Sequence, residues 1–185
     1  MFARKSMFLV LSLGLLLAAA LSRAQAPPPT ESQVKSAFLY NFAKFIDWPP
    51  TAFADDKSPF IIGILGSNPI GAELTRTTAD KRVSDRLIAI KTYRPEDDLT
   101  RCHILFISNS EKKRFPEILQ RLRGTAVLTV GETDGFIEAG GMVNFVLEAG
   151  KTANKIRFQI NDEAARKAAL KISSKLLSLA IRSAR

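Results

Sequence analysis

Apolar and polar positions along this chain fall into blocks whose period changes several times. From Val34 to Trp48 apolar residues recur at three- and four-residue spacing, the mark of one helical face. Thr30 and Gln33 ahead of it form a capping-box pair, and Glu31 adds a carboxylate to the first turn. Pro49-Pro50 stops the helix near Asp47, because a residue before proline avoids the helical region. On a helical wheel Val34, Phe38, Phe42 and Phe45 form a narrow stripe, with Leu39 and Ile46 on one flank and Trp48 on the other. That stripe is the expected core face. Tyr40 falls on the opposite side, among Ser36, Ala43, Lys44 and Asp47. There it is either covered by another part of the chain or set on a partner-facing patch.

Beyond the prolines the pattern changes to short apolar runs rich in β-branched residues. "PFIIGILG" (59–66), "RLIAIKTY" (86–93), "HILFIS" (103–108) and "TAVLTVG" (125–131) read as strands. Between them, "SNPIGAELTRTTA" reads as a helix capped by Ser67 or Asn68, with Pro69 in its first turn. "SEKKRFPEILQRL" (110–122) reads as another, with Pro116 marking a break or a late start. "MVNFVLEAGKTANKIRFQI" (142–160) holds two alternating runs about a turn, a β-hairpin. Asn161 then caps a C-terminal helix whose buried face is Ala165, Ala168, Ile172, Leu176 and Leu179. The resulting fold class is α/β: a single domain with a mostly parallel sheet, an antiparallel C-terminal hairpin and helices on both faces.

Charge and chemistry narrow the function. Arg4 and Lys5, the apolar run Met7 to Leu21 and the small residues Ser22 and Ala24 match an export signal. The expected organisation is a signal peptide over residues 1–24 and one domain over 25–185, exported and cleaved. Without Arg4, Lys5 and Arg23 the formal charge falls from +9 to +6, and the remaining charges are scattered rather than clustered, which argues against nucleic-acid binding. Cys102 is the lone cysteine, so no internal disulfide can form, and its place at the head of "CHILFIS" predicts a buried, inert thiol. His103 is the only histidine and points away from Cys102 on a strand, which leaves no metal site. No HExxH, GxSxG or paired-cysteine motif occurs, so no catalytic residues, metal ligands or cofactors are expected. The turn "GILGSNPIG" lies between a strand and a helix, and Gly66, Ser67 and Asn68 form its candidate anion or small-ligand cradle; the alternative is a tight turn. The glycines of "VGETDGFIEAGGMVNF" shape the entry to the hairpin.

Four stretches, "VKSAFLYNFAKFIDWP", "CHILFISNSE", "VLTVGETDGFIEAGGMVNFVLE" and "IRFQINDEAARKAALKISSKLLSLA", closely resemble the YfiR family of exported bacterial proteins, in the same order. The resemblance implies a periplasmic, non-catalytic protein that binds the sensor part of an inner-membrane diguanylate cyclase and represses it, lowering cyclic di-GMP and biofilm formation. It also implies a homodimer, and capture by an OmpA-like outer-membrane lipoprotein. Redox control through an internal disulfide is not carried over, because Cys102 has no partner. The wheel, rather than the family, supplies Tyr40, Asp47 and Trp48 as candidate partner anchors. The alternative function is a periplasmic small-ligand sensor serving another membrane signalling protein.

Overall fold

The computed structural model describes residues 28–150 and 155–181. The expected signal peptide lies outside the described residues. Helix α1 spans Glu31–Phe45. Its capping box forms: the Gln33 N–H donates to Thr30 Oγ1 at 3.3 Å and the Thr30 N–H to Gln33 Oε1 at 2.8 Å. The helix ends two residues before the expected Asp47. Ile46–Asp47 (β1) turns extended and pairs antiparallel with Lys171–Ile172 (β9).

The main sheet contains β2 (Phe60–Leu65), β3 (Arg82–Val83), β4 (Arg86–Tyr93), β5 (Ile104–Ile107), β6 (Leu128–Gly131), β7 (Val143–Glu148) and β8 (Lys155–Ile160). Its order is β3-β4-β2-β5-β6-β7-β8. The five strands from β4 to β7 are parallel, and β3 and β8 add antiparallel edges. The parallel part has the 2-1-3-4-5 order of a doubly wound sheet, which places its topological switch point between β2 and β5. Alternate residues feed two cores. Phe60, Ile62, Ile64, Ile104, Phe106, Leu128 and Val130 meet α1 and α2 (Gly71–Thr78) on one face. Leu65, Leu105, Ile107 and Val127 meet α3 (Phe115–Arg121) on the other. Burial on both faces is why these strands are almost continuously apolar.

Three expected details are corrected. The core face of α1 is centred on Leu39, Phe42 and Ala43, with Ser36 also fully buried, whereas Phe38 and Phe45 are half-buried. The buried stripe is therefore turned by roughly 100°, about one residue's step around the wheel. Packing between α1 and α2 decided this, since the small residues Ser36 and Ala43 allow close approach where the phenylalanines do not. Next, α2 begins at Gly71, after Ile70 and without a side-chain cap, because Ser67 and Asn68 are engaged elsewhere. Pro116 marks a late start, with α3 preceded by a short 3-10 turn at Asn109–Glu111.

The third correction is the C-terminal helix, which is two helices. Asn161 caps α4 (Asp162–Lys167) as expected, but α4 ends with Ala169 in the left-handed region at φ 58°. The Leu170 N–H reaches the Ala165 carbonyl and the Ala169 N–H the Arg166 carbonyl, both at 3.0 Å. This is a Schellman motif, here without its usual glycine. Leu170 is fully buried behind it, β9 pairs with β1, and Ser173 caps α5 (Ser174–Leu177). The long helix loses because Leu170 and Ile172 gain tertiary partners only when it breaks. Leu179, expected in the core, is 55 % exposed.

The glycine-rich entry to the hairpin wraps one ring. A Cβ on Gly141 would lie 2.2 Å from the Phe136 ring and 2.7 Å from the Phe136 carbonyl oxygen, and one on Gly131 would lie 2.5 Å from the same ring. Phe136 is fully buried. Gly141→Ala is expected to lower stability by about 1–3 kcal/mol, the usual cost of overpacking. Urea unfolding measures it, and a cost near zero would refute the close packing.

Candidate functional site

The carboxyl ends of parallel strands are the usual place for a ligand in such a fold, at the switch point above all. Here that crevice is filled by the chain itself. Gly66 turns at φ 89° after β2. The Ser67 N–H donates to Ser110 Oγ at 2.9 Å, and the Ser67 and Ser108 hydroxyls lie 2.7 Å apart. Asn68 Nδ2 donates to Thr92 Oγ1 at 3.2 Å. Gly66, Ser67 and Asn68 thus tie β2 to β4 and β5, and the Ser67 N–H that would face an anion is already bonded.

Beside the crevice lies a part-buried charge cluster. Lys35 on α1 is 8 % exposed and pairs with Glu31, one turn earlier, and with Glu132, just after β6. Burial pulls the Lys35 pKa down, but hydrogen bonds to Glu132 and Glu31 outweigh it and hold the ammonium above its ordinary value. Glu132 Oε1 also accepts the Asn109 N–H at 3.0 Å, and Thr133 donates to Asn109 Oδ1 at 3.1 Å. The cluster ties α1 to the ends of β5 and β6. Among the described residues no group of His, Cys, Asp and Glu is placed to hold a metal ion.

Tyr40, Asp47 and Trp48 are not brought into one patch of common character. Tyr40 is half-buried, with Lys81 Nζ 4.5 Å and Lys44 Nζ 5.5 Å from its ring centre, so its own chain covers much of it. Asp47 is exposed opposite Lys171 in the small sheet. Trp48 is half-buried, packs edge-on against Phe60 at 4.9 Å and donates its indole N–H to the His103 carbonyl at 3.2 Å. His103 lies between Phe53 and Phe60, stacked at 4.5 and 4.7 Å. Its Nδ1 accepts the Ile61 N–H at 2.9 Å, so the neutral ring carries its proton on Nε2. On the other face Cys102 is buried, its thiol donating to the Leu99 carbonyl at 3.3 Å and its pKa pushed up to about 12 by burial. A thiol held protonated in this way is inert.

A large concavity lies elsewhere, at the β8 edge of the sheet. A mainly apolar groove of about 600 Å³ is lined by Val34 and Phe38 of α1, Leu147 of β7, Leu179, and the run Lys155-Ile156-Arg157-Phe158 of β8. Leu147 is 56 % exposed although Val143 and Phe145, on the same side of β7, are buried. Sequence reading missed this site: the hairpin strands were given no lining role, and a single C-terminal helix placed Leu179 in the core. The available signal was the apolar residue Leu147 near the end of the first hairpin strand.

No curated protein matches the chain closely enough to add to its family assignment. The model of the YfiR/HmsC-like family matches residues 32–181, a span that runs from the first turn of α1 through α5. With the domain matched from the first turn of α1 to the end of the fold, the chain belongs to the YfiR/HmsC-like family of periplasmic regulators of diguanylate cyclase signalling.

Proposed function

We propose that this protein binds the periplasmic sensor part of an inner-membrane diguanylate cyclase and holds it inactive, so lowering cyclic di-GMP and biofilm formation. The observation that carries this reading is the open apolar groove at the β8 edge, where Leu147 and Leu179 are both more than half exposed. Apolar side chains grouped on a rim of charge are what a protein partner covers. Repression is a population shift: the protein must bind the inactive sensor more tightly than the active one. A hundredfold effect needs about 2.7 kcal/mol of difference. Burying one leucine is worth about 1.5–3 kcal/mol, so two such anchors suffice if only the inactive sensor reaches them.

Tyr40, Asp47 and Trp48 are retained as separate candidate contacts, of which Asp47 is the exposed one. Capture by an OmpA-like lipoprotein and assembly as a homodimer through another surface belong to the same reading. A small-ligand sensor built on Gly66, Ser67 and Asn68 has weaker support, since the groups that would bind the ligand are bonded within the chain. Deleting the gene is expected to raise cellular cyclic di-GMP severalfold, restored by the wild-type copy. An unchanged level in the deletion strain would overturn the proposal.

A further inference from the structure

We infer that the groove is a strand-addition site, and that its occupant is an extended segment of the membrane sensor carrying apolar residues flanked by carboxylates. This rests on the regulatory reading above and goes further, by stating how the partner is held. Successive strand residues point to opposite faces. A groove that touches Lys155, Ile156, Arg157 and Phe158 in turn therefore runs along the edge of β8 rather than over one face.

That edge has free backbone. In an antiparallel ladder, residues alternate between bonding their partner strand and facing away from it. The Phe158 carbonyl faces away, because it accepts the Ile181 N–H at 2.9 Å. Phe158 sits opposite Phe145 and Ile156 opposite Leu147, so Ile156 shares that outward direction. Ile181 bridges β8 only at Gln159. Among the described residues the Ile156 N–H and C=O are left for an incoming strand, with Leu147 and Leu179 at hand for its side chains. Such main-chain pairing with flanking side-chain pockets is a recurrent mode of peptide capture.

Charge selects the occupant. Lys155 and Arg157 make no ion pair among the described residues, and they flank Ile156. A second copy pairing antiparallel about Ile156 would set Lys155 against its Arg157, and like charges directly opposite are destabilising. The edge thus rejects itself and favours a strand with carboxylates at those places.

The test uses the full mature chain and the purified periplasmic part of a diguanylate cyclase from the same organism. Ile156→Pro removes the outward N–H, and proline is tolerated on an edge strand. It is expected to weaken binding at least tenfold, as is the double variant Lys155→Glu/Arg157→Glu, which folds independently of any change at Ile156. In the wild-type complex the Ile156 amide should exchange with solvent at least tenfold more slowly than in the free protein. If the sensor binds wild type, yet the charge-reversed variant binds equally well and Ile156 exchange is unchanged, strand addition is refuted and the regulatory reading stands. If wild type fails to bind the sensor at all, both fall together.

Discussion

Replacing Phe42 by alanine is expected to lower the free energy of unfolding by about 3–5 kcal/mol, the range for deleting a buried aromatic ring. Phe42 is fully buried at the centre of a four-ring cluster. Its ring lies 5.2 Å from Phe158 in an edge-on contact, 6.0 Å from Phe145 and 6.2 Å from Phe38. These contacts join α1 to both strands of the C-terminal hairpin, so the cavity would open where three elements meet. Phe45 supplies the comparison. It is half-buried, beneath Lys44 and Lys175 whose Nζ atoms lie 5.9 and 5.3 Å from its ring centre. Phe45→Ala is expected to cost about 1–2 kcal/mol, since less apolar surface leaves water there. Denaturant unfolding of both variants decides which face of α1 is the core. Equal losses would restore the stripe centred between Phe38 and Phe45 and refute the rotated one.

The second large effect is on acid stability. Burial between Phe53 and Phe60 pushes the His103 pKa down from 6.5 to about 4, with the Arg86 charge adding to it, while the Ala52 backbone partly opposes it. Protonating Nδ1 would also set it donor against donor with the Ile61 N–H. In the unfolded chain the imidazole takes its proton near its ordinary value. The folded state binds the proton less readily, so the stabilisation is fully present above pH 6.5 and is lost as pH falls toward 4. The loss across that window is about 3 kcal/mol. His103→Asn keeps an acceptor near the Nδ1 position without titrating. Urea unfolding at pH 7, 5 and 4 should show wild type losing about 3 kcal/mol more than the variant. Parallel pH profiles for the two proteins would remove His103 from the acid response. The neutral ring also explains why it serves structure: a histidine that stays unprotonated can be stacked among phenylalanines without burying charge.

What was legible in the sequence follows a physical division. Local chemistry was read correctly where the signal and its consequence lie close together in the chain. Thr30 and Gln33 close their capping box, Arg86 to Tyr93 is a strand at both ends as expected, and Asn161 caps the helix that follows it. The candidate site was less legible. Tyr40 was singled out as a residue the core did not explain, and much of its cover comes from Lys81, in a distant turn. Trp48 looked like a free anchor, yet its indole N–H is spent on the His103 carbonyl, 55 residues away. Leu147 and Ile156 were given no role and Leu179 was placed in the core, because periodicity identifies an apolar face but not what covers it.

Near neighbours in the chain settle the alternation of strands and helices and the apolar character of the central strands, and composition settles the absence of an internal disulfide; the family, too, is legible in the residues alone. Each of these depends on residues within a few positions of one another, or on composition. Tertiary structure alone decided which arc of α1 is buried, where the C-terminal helix breaks and which sheet edge stays open. Those outcomes are competitions among partners far apart in the chain. Leu170 leaves the helix because a fully buried site awaits it, and Leu147 lies more than half exposed in the groove that it lines with α1 and β8.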